Sequence, residues 1–183
     1  MGVADGIQLE PETAVPFATG EGRVDRQTAY GKTAMGVATR ARDSDVPTVC
    51  FGGGVTPEGH AFMAGLGLGT LDGVDEHTFE CARDCTYAYG SEGVIIDLTD
   101  PTAPVEIGQW DDAVRAQVDP ATGENYAFAA STHDVTEVAP GILLTSSNPM
   151  FLLDVRETPE APEVIGTATF TDDRFIHANL WPY

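Results

Sequence analysis

Short apolar runs alternate with turn-forming residues along the second half of the chain, and the runs recur. Val94-Ile95-Ile96 leads into Asp97, a turn bounded by Pro101 and Pro104, and a segment carrying Gly108. Phe151-Leu152-Leu153 leads into Asp154, a turn bounded by Pro159 and Pro162, and a segment carrying Gly166. Asp97 and Asp154 stand 57 residues apart, and the pairs Pro104/Pro162 and Gly108/Gly166 stand 58 apart. Upstream, Tyr87-Ala-Tyr-Gly-Ser matches Ile142-Leu-Leu-Thr-Ser, and His77-Thr-Phe-Glu-Cys matches His133-Asp-Val-Thr-Glu. The pattern predicts strands at about 77–81, 86–90, 93–98 and 105–110, then at 133–138, 142–146, 150–155 and 163–170. A further unit starts at Ile176-His177. Unbroken apolar runs suit strands covered on both faces, and prolines stop a ladder from continuing.

Four strands per repeat predict an all-β chain, a β-propeller of four-stranded antiparallel blades. The ring is incomplete: about two full blades, 76–112 and 131–170, plus the start of another at 176. A propeller needs about four to eight blades to close, so the chain reads as a fragment of a longer protein. Residues 111–130 read as a polar connection. Residues 1–75 are expected to be an irregular N-terminal region or a degraded blade. Segments 34–40 and 61–69 are strand candidates there, and the glycines at 52–54, 65, 67 and 69 argue for loops or bulges.

Composition narrows the function classes. The 183 residues carry 29 acidic and 9 basic side chains, a net charge of −20, with Lys32 the only lysine. Such a surface repels nucleic acid and anionic lipid, and it favours solvation or cations. No run approaches the ~20 apolar residues of a membrane span. The N-terminus lacks the basic and apolar regions of a signal peptide.

Three cysteines are present, Cys50, Cys81 and Cys85. The four-residue spacing of Cys81 and Cys85 allows a disulfide across a turn; free thiols or a metal site are the alternatives. Cys50 reads as a small buried hydrophobe. His77, His133 and His177 occupy the same place in their repeats, at the start of the expected innermost strand. Three imidazoles around a channel would suit a transition metal, copper or zinc, and the alternative is a turn-holding role. Asp97 and Asp154 recur with Pro104, Pro162, Gly108 and Gly166, which favours structural roles; calcium at Asp97/Asp100 or Asp111/Asp112 would need more oxygen ligands. Ser131-Thr-His133-Asp134 is not a hydrolase triad, because neighbours on a strand face opposite ways. Gly31-Lys32-Thr33 lacks the first glycine of a phosphate loop, Arg26 standing in its place. Gly52-Gly53-Gly54 reads as a flexible loop.

The aspartate strands Val94-Ile-Ile-Asp-Leu-Thr-Asp-Pro and Phe151-Leu-Leu-Asp-Val-Arg-Glu-Thr-Pro, with His77-Thr and His133-Asp-Val-Thr, resemble the LVIVD repeat of secreted and cell-surface propellers, in an actinobacterial-type branch. The resemblance covers about 77–183. It implies an extracellular or cell-surface scaffold that binds a protein or small-molecule ligand, with no nucleic acid and no membrane insertion, and it leans against an enzyme. The alternative is a metalloenzyme with a His-lined channel, oxidase- or hydrolase-like, similar in kind to the histidine sites of the copper-dependent methanethiol oxidases.

Overall fold

The computed structural model describes residues 17–30, 33–126, 132–170 and 176. It divides into two compact units: one holds residues up to 75 with 84–86 and 97–105, the other 76–83, 87–96 and 106 onward.

The first unit overturns the all-β expectation. Strands β1 (Phe17–Glu21), β2 (Thr48–Gly52) and β3 (Gly69–Asp72) form a parallel sheet in the order β1-β2-β3. A 3-10 turn (Arg26–Tyr30) and helix α1 (Thr33–Asp43) connect β1 to β2, and helix α2 (Pro57–Gly65) connects β2 to β3. Parallel neighbours require such crossovers. The strand candidates 34–40 and 61–69 therefore fall largely in helices. Helix α1 buries Ala34, Ala38 and Ala41, a stripe at helical spacing made only of alanine. Every residue of β2 is buried, as befits a strand in a covered parallel sheet. Val24, Ala34, Ala38, Cys50, Met63 and Leu68 form the core of this unit.

Helix α2 starts where its sequence says it should. The Thr56 side chain accepts from Gly59 N at 3.1 Å, Pro57 occupies the first turn, and Glu58 meets the positive end of the dipole. Gly59 has no side chain because there is no room for one. A Cβ there would overlap the backbone of Val24 and Asp25.

Two antiparallel sheets follow. The first is β4 (Phe79–Ala82), β5 (Tyr87–Gly90), β6 (Val94–Asp97) and β7 (Val105–Gln109), in chain order. The second is β8 (Val135–Ala139), β9 (Ile142–Thr145), β10 (Met150–Asp154) and β11 (Glu163–Ala168), again in chain order. Helix α3 (Asp111–Arg115) lies within the stretch read as a polar connection. The expectation of an all-β propeller with an incomplete ring is overturned: the described residues hold three separate sheets, one parallel and two antiparallel, together with helices, and no closed propeller. Ala82, Tyr89 and Ile95 of one sheet share a core with Val135, Leu143, Phe151 and Leu153 of the other. Two sheets burying their apolar faces against each other need no further blades.

Side chains bonded to main chain join β4 to β8. Thr78 donates its hydroxyl to His133 O at 3.1 Å and to Asp134 Oδ1 at 3.0 Å. Glu137 N donates to Glu80 Oε1 at 2.8 Å, and Arg83 N donates to Glu137 Oε1 at 3.1 Å. Each of the two glutamates thus takes an N–H from the other's strand or turn. Burial raises the Glu80 pKa most, with Asp134 and Glu137 adding to it against the Glu137 N–H bond.

Trp110, fully buried, fastens the far side of the first sheet. Its indole donates to Gly90 O at 2.7 Å, and its backbone N–H donates to Gly93 O at 2.8 Å.

Glu76 sits against the same β5–β6 turn. Its carboxylate accepts from the N–H groups of Glu92 and Val94, in space left open by the absence of a side chain at Gly90. Burial pushes its pKa up to about 7 from 4.5; the two N–H bonds oppose this, and Glu92 and Asp111 add to it. A carboxyl group raised in this way stabilises the fold fully below pH 4.5, and its contribution is lost as pH rises through about 7. Discounted for a half-exposed group, the loss is about 1–2 kcal/mol. Denaturant titrations at pH 5 and pH 8 should show that loss in the wild type. In Glu76→Gln, which cannot ionise, the corresponding difference should disappear, whatever the variant's absolute stability.

Candidate functional site

The carboxyl ends of β1, β2 and β3 converge in the first unit, and ligands of open parallel sheets bind outside such ends. Three segments meet there: 22–25 after β1, 53–56 after β2, and 73–74 after β3 with the strand-end Asp72. They are tied by backbone bonds. Val24 N donates to Gly54 O at 2.8 Å, Thr56 N to Val24 O at 2.9 Å, and Val74 N to Gly52 O at 3.2 Å. Val24 and Val55 form a parallel bridge. Asp72 accepts from Val55 N at 2.6 Å through Oδ1.

The loop after β1 holds itself. Asp25 N donates to Thr28 Oγ1 at 3.1 Å, Thr28 N returns to Asp25 O at 3.0 Å, and Gln27 N donates to Asp25 Oδ1 at 2.7 Å. Thr28 is fully buried. Arg23 is well exposed, its guanidinium 3.7 Å from Asp25 Oδ2.

The glycine run 52–54 is not an isolated flexible loop. It connects a buried parallel strand to the N-terminus of a capped helix. Gly53 passes close to the other loop, where an added Cβ would lie 3.1 Å from Gly22 O. Among the described residues, no hydrogen bond uses the N–H of Gly53 or Gly54. Successive N–H groups in such a loop, ahead of a helix N-terminus, make a concavity suited to the oxygens of an anion. The signal was legible as the apolar run Val49-Cys50-Phe51, a glycine run and then Val55-Thr56-Pro57-Glu58. Of Gly31-Lys32-Thr33, Thr33 opens α1, and Gly31 and Lys32 lie outside the described residues.

The residues singled out from the repeat lie elsewhere. His77 and His133 come together edge to face, ring centroids 4.5 Å apart. His177 and Ser131 lie outside the described residues. Among the described residues, no group of three or more His, Cys, Asp or Glu side chains could hold a metal. Cys81 and Cys85 are disulfide-bonded, closing the tight β4–β5 turn in which Arg83, Asp84 and Cys85 all have φ near +57°. Cys50 is buried in β2.

The aspartates hold turns. Asp97 Oδ1 accepts from Thr99 N at 2.8 Å, and Asp100 Oδ1 accepts from Thr102 N at 2.9 Å. Asp154 binds both the backbone N–H and the guanidinium of Arg156, which holds its carboxyl down near 2. Asp111 pairs with Arg115 at 2.7 Å. Pro104 and Pro162 are both buried at their turns. Gly108 lies where a Cβ would come 2.8 Å from Glu160 O, and Gly166 pairs with Leu152.

Comparison with known proteins bears on the first unit. Residues 5–71 match the model of the glycerate kinase family. A stretch of 46 residues is 56% identical to the glycerate kinase of Bacillus cereus, covering 25% of this chain and 12% of that protein. Another of 43 residues is 46% identical to the glycerate kinase of Bacillus subtilis, covering 24% of this chain and 11% of that protein. A third, of 35 residues, is 54% identical to the glycerate kinase of Halalkalibacterium halodurans, covering 19% and 9%. These stretches span about a tenth of the length of the curated relatives they match. No solved structure matches the chain.

These findings correct the reading drawn from the repeat. The resemblance to the LVIVD propellers, drawn on residues 77–183, is overturned by matches to the glycerate kinase family and to glycerate kinases. The relatives are enzymes, so a non-catalytic binding scaffold is overturned, and so is the leaning against catalysis. A His-lined metalloenzyme has no support in the matches, nor in the donor groups among the described residues. The extracellular or cell-surface placement stood on the same resemblance and falls with it. No helix among the described residues is long and apolar enough to cross a membrane.

Proposed function

We propose that residues 17–72 form one wall of a phosphoryl-transfer site that acts on glycerate. The observation that carries the reading is the 56% identity over 46 residues to a glycerate kinase. The geometry supports it. Glycerate is a carboxylate and the phosphoryl donor is a polyphosphate, so both reactants present anionic oxygens. The N–H groups of Gly53 and Gly54, at the head of α2, and the exposed Arg23 guanidinium suit such oxygens. Phosphoryl transfer asks mainly for positioning and charge neutralisation. A glycerate hydroxyl oxygen forms the new bond to the γ-phosphorus, the bond from that phosphorus to the β,γ-bridging oxygen breaks with its electron pair going to ADP, and the hydroxyl proton passes to solvent.

The test is glycerate-dependent ADP release from ATP by the protein that carries this chain. Turnover is expected with glycerate and not without it. Arg23→Ala is expected to lower it at least about tenfold, the cost of removing one charge-assisted contact to a developing anion. Equal ADP release with and without glycerate would overturn the reading.

A further inference from the structure

The matched segment ends at residue 71, so similarity assigns nothing to Asp72, the last residue of β3. We infer that Asp72 is a positioning residue for the glycine loop. This rests on the proposed reading of that loop as an anion-binding concavity.

The loop leaves β2 at Gly52 and reaches the α2 cap at Thr56. At one end Val74 N holds Gly52 O, and at the other Val24 O holds Thr56 N. Between them, two contacts fix which way the peptide planes face. Gly54 O is taken by Val24 N, and Val55 N is taken by Asp72 Oδ1 at 2.6 Å. A peptide plane with its carbonyl bonded on one side and the next N–H bonded on the other cannot flip without losing both. With Gly54 O and Val55 N pinned, the plane between Gly54 and Val55 is set. Upstream, Val74 N, by holding Gly52 O, sets the plane that carries the Gly53 N–H, and the plane that carries the Gly54 N–H lies between these two fixed planes. Three glycines in succession have no Cβ to restrict them, so side-chain packing within 52–54 cannot do this job. Asp72 is the side chain that does it, as a charge-assisted acceptor. Being exposed, it carries little of the unit's core stability.

The experiment compares wild type, Asp72→Ala and Asp72→Asn in the full chain. It uses two-dimensional amide spectra without ligand, the dissociation constants for ATP and D-glycerate, and the melting temperature. Asp72→Asn keeps an acceptor oxygen; Asp72→Ala removes it. In Asp72→Ala the Gly53 and Gly54 amide resonances are expected to move or broaden. The dissociation constants should rise about tenfold, the worth of one such hydrogen bond, with the melting temperature within a few degrees of wild type. Asp72→Asn should recover most of the loss. Unchanged glycine resonances in Asp72→Ala, or a loss that Asp72→Asn fails to recover, would overturn the inference. If wild type binds neither ATP nor glycerate, the proposed function fails separately. The ligand-free resonances of the two variants then still decide whether Asp72 sets the loop.

Discussion

Replacing Trp110 by alanine is expected to cost the antiparallel unit about 3–5 kcal/mol, a large part of what holds a domain of this size together. Trp110 is fully buried in the core shared by the two sheets, and its indole N–H satisfies Gly90 O. Truncation leaves a cavity where the largest side chain of that core stood. It also leaves the Gly90 carbonyl without its indole donor, at a cost of about 1–3 kcal/mol within that total. Denaturant unfolding followed by circular dichroism measures the effect. Trp110→Phe separates the two contributions: it fills most of the volume and removes the hydrogen bond, so it should lose roughly a third to a half as much. A Trp110→Ala loss under about 1 kcal/mol would mean that the core does not depend on this side chain, against its burial.

The second large effect is expected at Gly59. A methyl group added there overlaps the backbone of Val24 and Asp25, so Gly59→Ala cannot be accommodated by a rotamer change. Either α2 moves off the sheet or the 23–25 loop shifts. Overpacking of this kind costs about 1–3 kcal/mol, and Val24 is the hub that receives Thr56 N and reaches Gly54 O. The expected result is a lower unfolding midpoint together with loss of ligand binding at the carboxyl ends of β1 and β2. Gly65→Ala serves as the control, because a Cβ at that helix position meets nothing within 4 Å. It should leave both readouts near wild type. Equal behaviour of the two variants would show that close approach at Gly59 is not what seats the helix.

The two halves of the chain differed in how much of them could be read from sequence. In the antiparallel unit, apolar runs ending in aspartate and bounded by proline mark β6 and β10, and the upstream pairs mark β4, β5, β8 and β9. What that pattern lacks is any statement about closure. Strands 94–96 and 151–153 look doubly covered whether the cover is a ring of neighbours or one facing sheet and a helix. The first unit was hard to read for a different reason. The buried face of α1 is Ala34, Ala38 and Ala41, with Gly36 among them, so its amphipathic stripe barely exceeds its surroundings in hydrophobicity. Helix α2 buries Gly59 and Met63 and includes a further glycine at 65, which reads as loop by propensity. Of the candidate site, the Gly52–Gly54 run was visible, but its meaning depends on a parallel strand before it and a cap after it. Asp72 could not be found by spacing, since its bond to Val55 closes the whole crossover from β2 through α2 to β3 rather than a local motif.

The paired glutamate bonds between β4 and β8 also set how the antiparallel unit tolerates change. Along that seam a side-chain replacement removes a partner from another strand's backbone, so damage at Glu80 or Glu137 propagates across both sheets. The opposite edges, β7 and β11, show mostly exposed or half-exposed residues. Random mutagenesis scored for retained folding should therefore return a gradient: varied residues at the exposed positions 105, 106, 109, 163, 165, 167 and 168, and a narrow choice at 78, 80 and 137.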